Sequence, residues 1–201
     1  MRVSLVLLAL LLAPDSARAQ HRGYVEALGG ATFMATAAGV FGAEAGIQLT
    51  RTVIVFGQAG RMMDVLPGDV QDDLDDAAAL LQSFTGRPWR FDATVRATYA
   101  GGGIRYLLPI GSRVRVYVVG SAGIARYTGT LRERELGDVL DQAIALGVIH
   151  ADDVNGTEAA YEAGAGVVVP RGRLQFDAGY RLMNVRGVNV SRGVAGAGIR
   201  F

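Results

Sequence analysis

The chain has 201 residues, half of them hydrophobic, with 28 glycines and no cysteine, and all 20 of its basic residues are arginine. Nineteen acids balance them, so no net field draws the chain to nucleic acid or an acidic membrane, and the missing cysteines exclude a disulfide scaffold and thiolate metal or redox sites. Mean hydropathy is +0.26, high for a water-soluble protein, yet beyond residue 13 no apolar run approaches the ~20 residues of a spanning helix.

The N-terminus reads as a removable leader. Met1-Arg2 is a short positive start, Val3 to Ala13 an apolar core, Pro14-Asp15-Ser16 a break, and Ala17-Arg18-Ala19 a small-x-small cleavage site. These features predict a signal peptide over 1–19 and a mature chain over 20–201 that begins at Gln20, with 18 bases against 18 acids. No cysteine follows the cleavage site, which excludes a lipid anchor there.

Downstream the dominant signal is alternation with period two. Val25, Ala27, Ala31 and Phe33 alternate with Glu26, Gly30 and Thr32, and Phe41-Ala43-Ala45-Ile47-Leu49 with Glu44, Gly46 and Gln48. Val53-Ile54-Val55-Phe56 is strand-like without a clear phase. From Phe91 to Leu107 the phase slips at Gly101-Gly102-Gly103, which predicts a bulge or glycine kink. Val114-Val116-Val118 opposes Arg115 and Tyr117, and Tyr161 to Val169 opposes Glu162, Gly164 and Gly166. Leu174 to Leu182 opposes Gln175, Asp177, Gly179 and Arg181, and Ala195-Ala197-Ile199-Phe201 opposes Arg192, Gly196, Gly198 and Arg200. Because successive strand side chains point to opposite faces, each segment has one apolar face and one of charge and glycine. The pattern predicts eight strands, near 23–33, 38–50, 53–64, 91–107, 113–128, 157–169, 173–184 and 189–201. Tight turns at 50–52, 109–112 and 170–172 carry Gly, Pro or Thr. The alternate connections include two long ones, 65–90 and 129–156, as an antiparallel meander requires.

Which face is inside follows from the glycines. Solvent-facing strand positions favour Thr, Lys, Gln or Ser over Gly, whereas Gly suits the crowded interior of a narrow closed barrel. The fold class predicted is therefore all-β, an eight-stranded antiparallel up-and-down barrel with apolar residues outward and polar residues inward, as in transmembrane barrels. The inward charges predicted to pair in the lumen are Glu26, Glu44, Asp92, Glu162 and Asp177 with Arg96, Arg105, Arg115, Arg181, Arg192 and Arg200. Two aromatic belts are expected, Tyr24, Phe56, Tyr106, Phe176 and Phe201 toward the tight turns and Phe33, Phe41, Trp89, Phe91, Tyr127 and Tyr161 toward the long loops. Tyr117 and Tyr180 fit neither.

These features resemble the small outer-membrane β-barrel family of the OmpA-like and OmpX-like eight-stranded type. The ending Val194-Ala195-Gly196-Ala197-Gly198-Ile199-Arg200-Phe201 looks like that family's assembly signal, with Ile199 and Phe201 its apolar carriers. The resemblance implies residence in the outer membrane, contact with its lipid and with the barrel-assembly machinery, and periplasmic termini. No periplasmic peptidoglycan-binding domain is expected after Phe201, and both long loops carry helical stripes, which the family does not require. Val70, Leu74, Ala77, Leu81 and Phe84 form one stripe over 69–85, and Leu136, Leu140 and Ile144 the other over 135–147. They are expected to pack together or on the barrel rim, presenting Asp72, Asp73, Asp76 and Glu135. Asp69, Asp72, Asp73, Asp75 and Asp76 have neither the spacing nor the glycine of a calcium loop, and read as a solvated face near a helix N-terminus. His21 and His150 have no Ser–acid partnership, so no catalytic set, metal or cofactor is expected. The reading is a monomeric barrel with a structural or surface-interaction role and a filled lumen, its loops 65–90 and 129–156 available to an extracellular ligand or protein. The alternatives are a narrow channel or small-ligand transporter, and a secreted soluble lipid-binding barrel.

Overall fold

A computed structural model of the chain describes residues 23–201 except 35–36, 67, 110–113, 134–136, 139–140, 142–154 and 186. The leader predicted over 1–19 and both histidines lie outside the described residues. Eight long strands make up the sheet: β1 (Gly23–Phe33), β2 (Ala37–Gln48), β3 (Val53–Met62), β4 (Phe91–Pro109), β5 (Arg115–Glu133), β7 (Asn155–Arg171), β8 (Leu174–Val185) and β9 (Val188–Arg200). A two-residue strand, β6 (Gly137–Asp138), pairs with Arg132 and Glu133 at the far end of β5. One helix, α1 (Gly68–Thr85), joins β3 to β4.

Each long strand pairs antiparallel with the next, and β1 pairs with β9, so the sheet closes. Gly23 and Phe201 exchange backbone hydrogen bonds of 2.9 and 3.0 Å and carry the closing seam to the last residue. One lateral row runs Gly23, Ile47, Val55, Ile104, Gly120, Ala163, Leu182, Ser191 and back to β1 at Phe33, ten residues above its start. That stagger, for eight strands, corresponds to a tilt of roughly 40° and an interior just wide enough for side chains to fill.

The alternation decides which residues fill it. Ile47, Leu49, Ile104, Leu108, Val118, Ile124, Leu174, Leu182 and Ile199 are exposed on the outer wall. Glu26, Glu44, Arg105, Asp177 and Arg181 are buried inside. Thr50 shapes the β2–β3 turn, its hydroxyl accepting from Val53 N at 3.0 Å. Gly172 (φ 63°) supplies the left-handed residue of the β7–β8 turn.

Two sequence expectations differ from the fold, the bulge in β4 and the second helical stripe, and the phase of β3, left open by the sequence, is fixed by it. β4 carries no bulge: its registers with β3 and β5 run unbroken through Gly101–Gly103, so its odd residues face inward along the whole strand. β3 has its even residues inward, burying Ile54, Phe56, Gln58 and Met62. The second helical stripe falls mostly outside the described residues; of those described, Gly137–Asp138 form a ladder and Asp141 is helical.

Candidate functional site

The interior is organised around three buried arginines contributed by separate strands. Arg105 on β4 meets three carboxylates, with Nη2 3.1 Å from Glu26 Oε1 and 2.6 Å from Glu44 Oε1, and Nη1 3.1 Å from Asp177 Oδ2. Arg181 on β8 spans Glu44 (3.0 Å) and Glu162 (3.2 Å), and Arg192 on β9 pairs with the other oxygen of Glu162. Four carboxyl groups and three guanidinium groups thus form one continuous network across β1, β2, β4, β7, β8 and β9.

Neutral side chains complete it. Tyr24 donates to Glu44, Gln175 to Glu26 (2.7 Å) and Tyr117 to Asp177 (2.9 Å). Gln58 accepts from Arg181 (2.9 Å) and donates to Glu162 (3.3 Å) and Ser121 (3.0 Å). Tyr117 lies under the Arg105 guanidinium, 4.4 Å from ring centroid to Cζ, and Tyr99 under that of Arg192 at 4.5 Å. Sharing Arg105 among three carboxylates and Arg181 between two offsets the desolvation that makes a lone buried ion expensive.

Apolar side chains flank the network toward both ends. Val40, Met62, Ala97, Tyr99, Tyr127, Met183 and Val190 pack together on the long-loop side, and Tyr24, Ile54, Phe56, Leu107, Tyr117 and Val168 on the short-turn side. The spaces left are small, about 20 Å³ at the short-turn mouth beside Arg115 and Arg200, and about 10 Å³ beside Glu162. Either holds one or two water molecules at most. Among the described residues no group of three or more carboxylates and histidines is arranged to hold a metal.

Of the eleven charges expected in the lumen, Glu26, Glu44, Arg105, Glu162, Asp177, Arg181 and Arg192 come together in this network. Arg115 and Arg200 line the short-turn mouth half-buried, apart from it. Asp92 and Arg96 are corrections. With no bulge in β4 they keep the even, outward phase and are exposed on the outer wall near the long loops, Asp92 opposite Arg132 and Arg96 opposite Thr128. The belts are corrected too: Tyr24, Phe56 and Tyr127 point inward and are buried, while Phe33, Phe41, Tyr106, Tyr161, Phe176 and Phe201 remain outside. Sequence reasoning missed Gln58, Ser121, Tyr24 and Tyr99 as interior partners. Parity was the available signal for Tyr24, which shares the phase of Glu26, and for Ser121, which shares that of Arg115; the open phase of β3 hid Gln58, and the glycine triplet hid Tyr99. Ile199 and Phe201 both face outward.

Three solved structures share this architecture. A major outer membrane protein from Thermus thermophilus superposes with a TM-score of 0.56 at 12% identity, over 90% of this chain and all of the other. The N-terminal β-barrel domain of Pseudomonas aeruginosa OprF gives 0.54 at 18%, over 90% and 98%. Neisserial surface protein A gives 0.54 at 13%, over 89% and 96%. The chain has the fold of the small eight-stranded outer-membrane barrels. No protein-family model and no curated protein matches the sequence, and identities this low carry the fold alone.

Proposed function

We propose that the chain is exported by its 1–19 leader and resides in the outer membrane as a monomeric barrel. Its role is structural or one of surface interaction, and its interior is closed to solutes. The ion network carries this reading: each buried carboxylate is engaged by arginine, which leaves none free for acid–base chemistry or for lining a water-filled path. The outward apolar wall supports membrane residence, since lipid-exposed strands must satisfy their backbone within a closed ladder. Neisserial surface protein A, which shares the fold, is named for the surface. Expression of the full chain tests the assignment. The expected product begins at Gln20 by mass spectrometry, sediments with the outer membrane and migrates differently on gels before and after boiling. Deleting Phe201 should leave export intact and lower the folded, heat-modifiable band severalfold, because Phe201 ends the closing seam. A soluble periplasmic product, or an undiminished folded band in the deletion, contradicts the reading.

A further inference from the structure

The outer wall carries charge in one place that the membrane reading leaves unexplained. Arg61 on β3, Thr98 on β4 and Arg126 on β5 are register partners in a single lateral row, and all three are exposed. Arg96, two residues from Thr98 on the same outward phase of β4, lies above that row. Arg61 and Arg126 are two strands apart, about 10 Å between backbones. Three flexible guanidinium groups and a hydroxyl can therefore converge on one ligand. None of the three arginines forms an ion pair with a described residue. The nearest outward acid on these strands, Asp92, stands opposite Arg132.

Their height is set by the strands. Leu108 is the outward apolar residue near the short-turn end of β4, and Thr98 stands ten residues before it in the chain, toward the long-loop end. At about 3.3 Å per residue and a tilt of roughly 40°, Thr98 lies about 25 Å above Leu108, the thickness of the apolar band of such barrels. The tilted row climbs by about 3 Å per strand, so exposed Phe41, in register with Arg61, lies just below it and Arg126 just above Thr98. The row thus sits at the upper edge of the lipid-facing band, where headgroups lie. At the same level β8 and β9 present Asn184 and Ser191, without charge.

We propose that Arg61, Arg96, Arg126 and Thr98 form a binding surface for a phosphorylated lipid headgroup of the outer leaflet. Arginine favours phosphate because its planar fork donates two parallel hydrogen bonds to the oxyanion. A lipid is the occupant argued for because the patch lies on the lipid-facing wall, away from the interior and the barrel mouths. The inference rests on the outer-membrane reading.

Purified barrel reconstituted in phosphatidylcholine nanodiscs containing a minor fraction of diphosphoryl lipid A, or of the same lipid dephosphorylated, tests it. The readout is the amount of glycolipid retained per protein after detergent exchange. The native chain should favour the phosphorylated form. Arg61→Gln/Arg96→Gln/Arg126→Gln should lose that preference, by roughly 100-fold if each arginine contributes as a basic residue at an anionic surface does. Asp92→Asn should keep it, and inorganic phosphate should not compete. Equal retention of the two lipids by the native chain, or full preference in the triple variant, overturns the proposal. Competition by millimolar phosphate overturns it in favour of a site for free anions. If the native chain fractionates with the outer membrane and shows no lipid preference, only this inference falls. If it does not fractionate there, the reading beneath it falls as well.

Discussion

Arg105 holds three carboxylates from three different strands, and its removal would leave Glu26, Glu44 and Asp177 facing one another in a dry interior. Replacing one partner of a buried ion pair costs about 3–5 kcal/mol, so Arg105→Met should lower unfolding stability by about that amount. Asp92→Asn, at an exposed position, should stay within about 0.5 kcal/mol. Urea unfolding of the refolded barrel, followed by its single tryptophan, Trp89, measures both; similar effects would contradict the placement of Asp92 outside. A second prediction concerns inward glycine. A Cβ on Gly46 would stand 2.5 Å from the ring of Tyr24, the side chain that donates to Glu44. Gly46→Ala should cost about 1–3 kcal/mol by overpacking, and a Tyr24→Leu background should remove more than half of that cost. An undiminished cost in that background would show the glycine serves something other than the tyrosine ring. Most of this site is legible from charge on alternate residues. The rest is not, because Tyr24, Phe56 and Tyr127 point inward while looking like interface aromatics. In so narrow a barrel the room that inward glycines leave is filled by rings, and ring against guanidinium is favourable there.

Among the elements, strands with alternating faces are readable to within a few residues, and the connections less so. β5 runs to Glu133, five residues past its predicted end, because Leu131 packs inward above the apolar outer band, where polarity no longer sorts the two faces. The glycine triplet in β4 imitates a phase slip; with no side chain at three successive positions, only register could carry the phase across. Helix α1 is predicted almost to the residue and closes on Gly86, in the left-handed conformation (φ 68°), whose N–H donates to Gln82 O at 2.9 Å. Its packing departs from the stripe at one end. Leu74, Ala77 and Leu81 are half-buried, Ala78 is buried, and Phe84 is 80% exposed, near the end of the helix. The helix touches only the β4 side of the rim in any substantial way among the described residues. Strand ladders rather than α1 should therefore hold the barrel together. Replacing residues 68–88 with a short Gly/Ser linker should leave a heat-modifiable barrel with its unfolding temperature within about 5 °C, on the order of one kcal/mol for a domain of this size. Failure of that chain to refold would place α1 in the folding core.

At the scale of the whole molecule, eight strands and a ten-residue stagger produce a cylinder whose interior is one ion network between two apolar clusters. The two surfaces have opposite tasks. The outer one is apolar where lipid would meet it, and the inner one sets three guanidinium groups among four carboxyl groups, so that each buried carboxyl meets an arginine in a single lumen. Ions crossing this interior would have to part Arg105 from its carboxylates and displace the packed tyrosines on either side. Single-channel recording of the purified barrel in planar bilayers tests that most directly. An interior closed to solutes, as proposed, predicts a flat baseline at moderate voltage, with no stepwise current; reproducible ohmic steps from folded, heat-modifiable protein would contradict it.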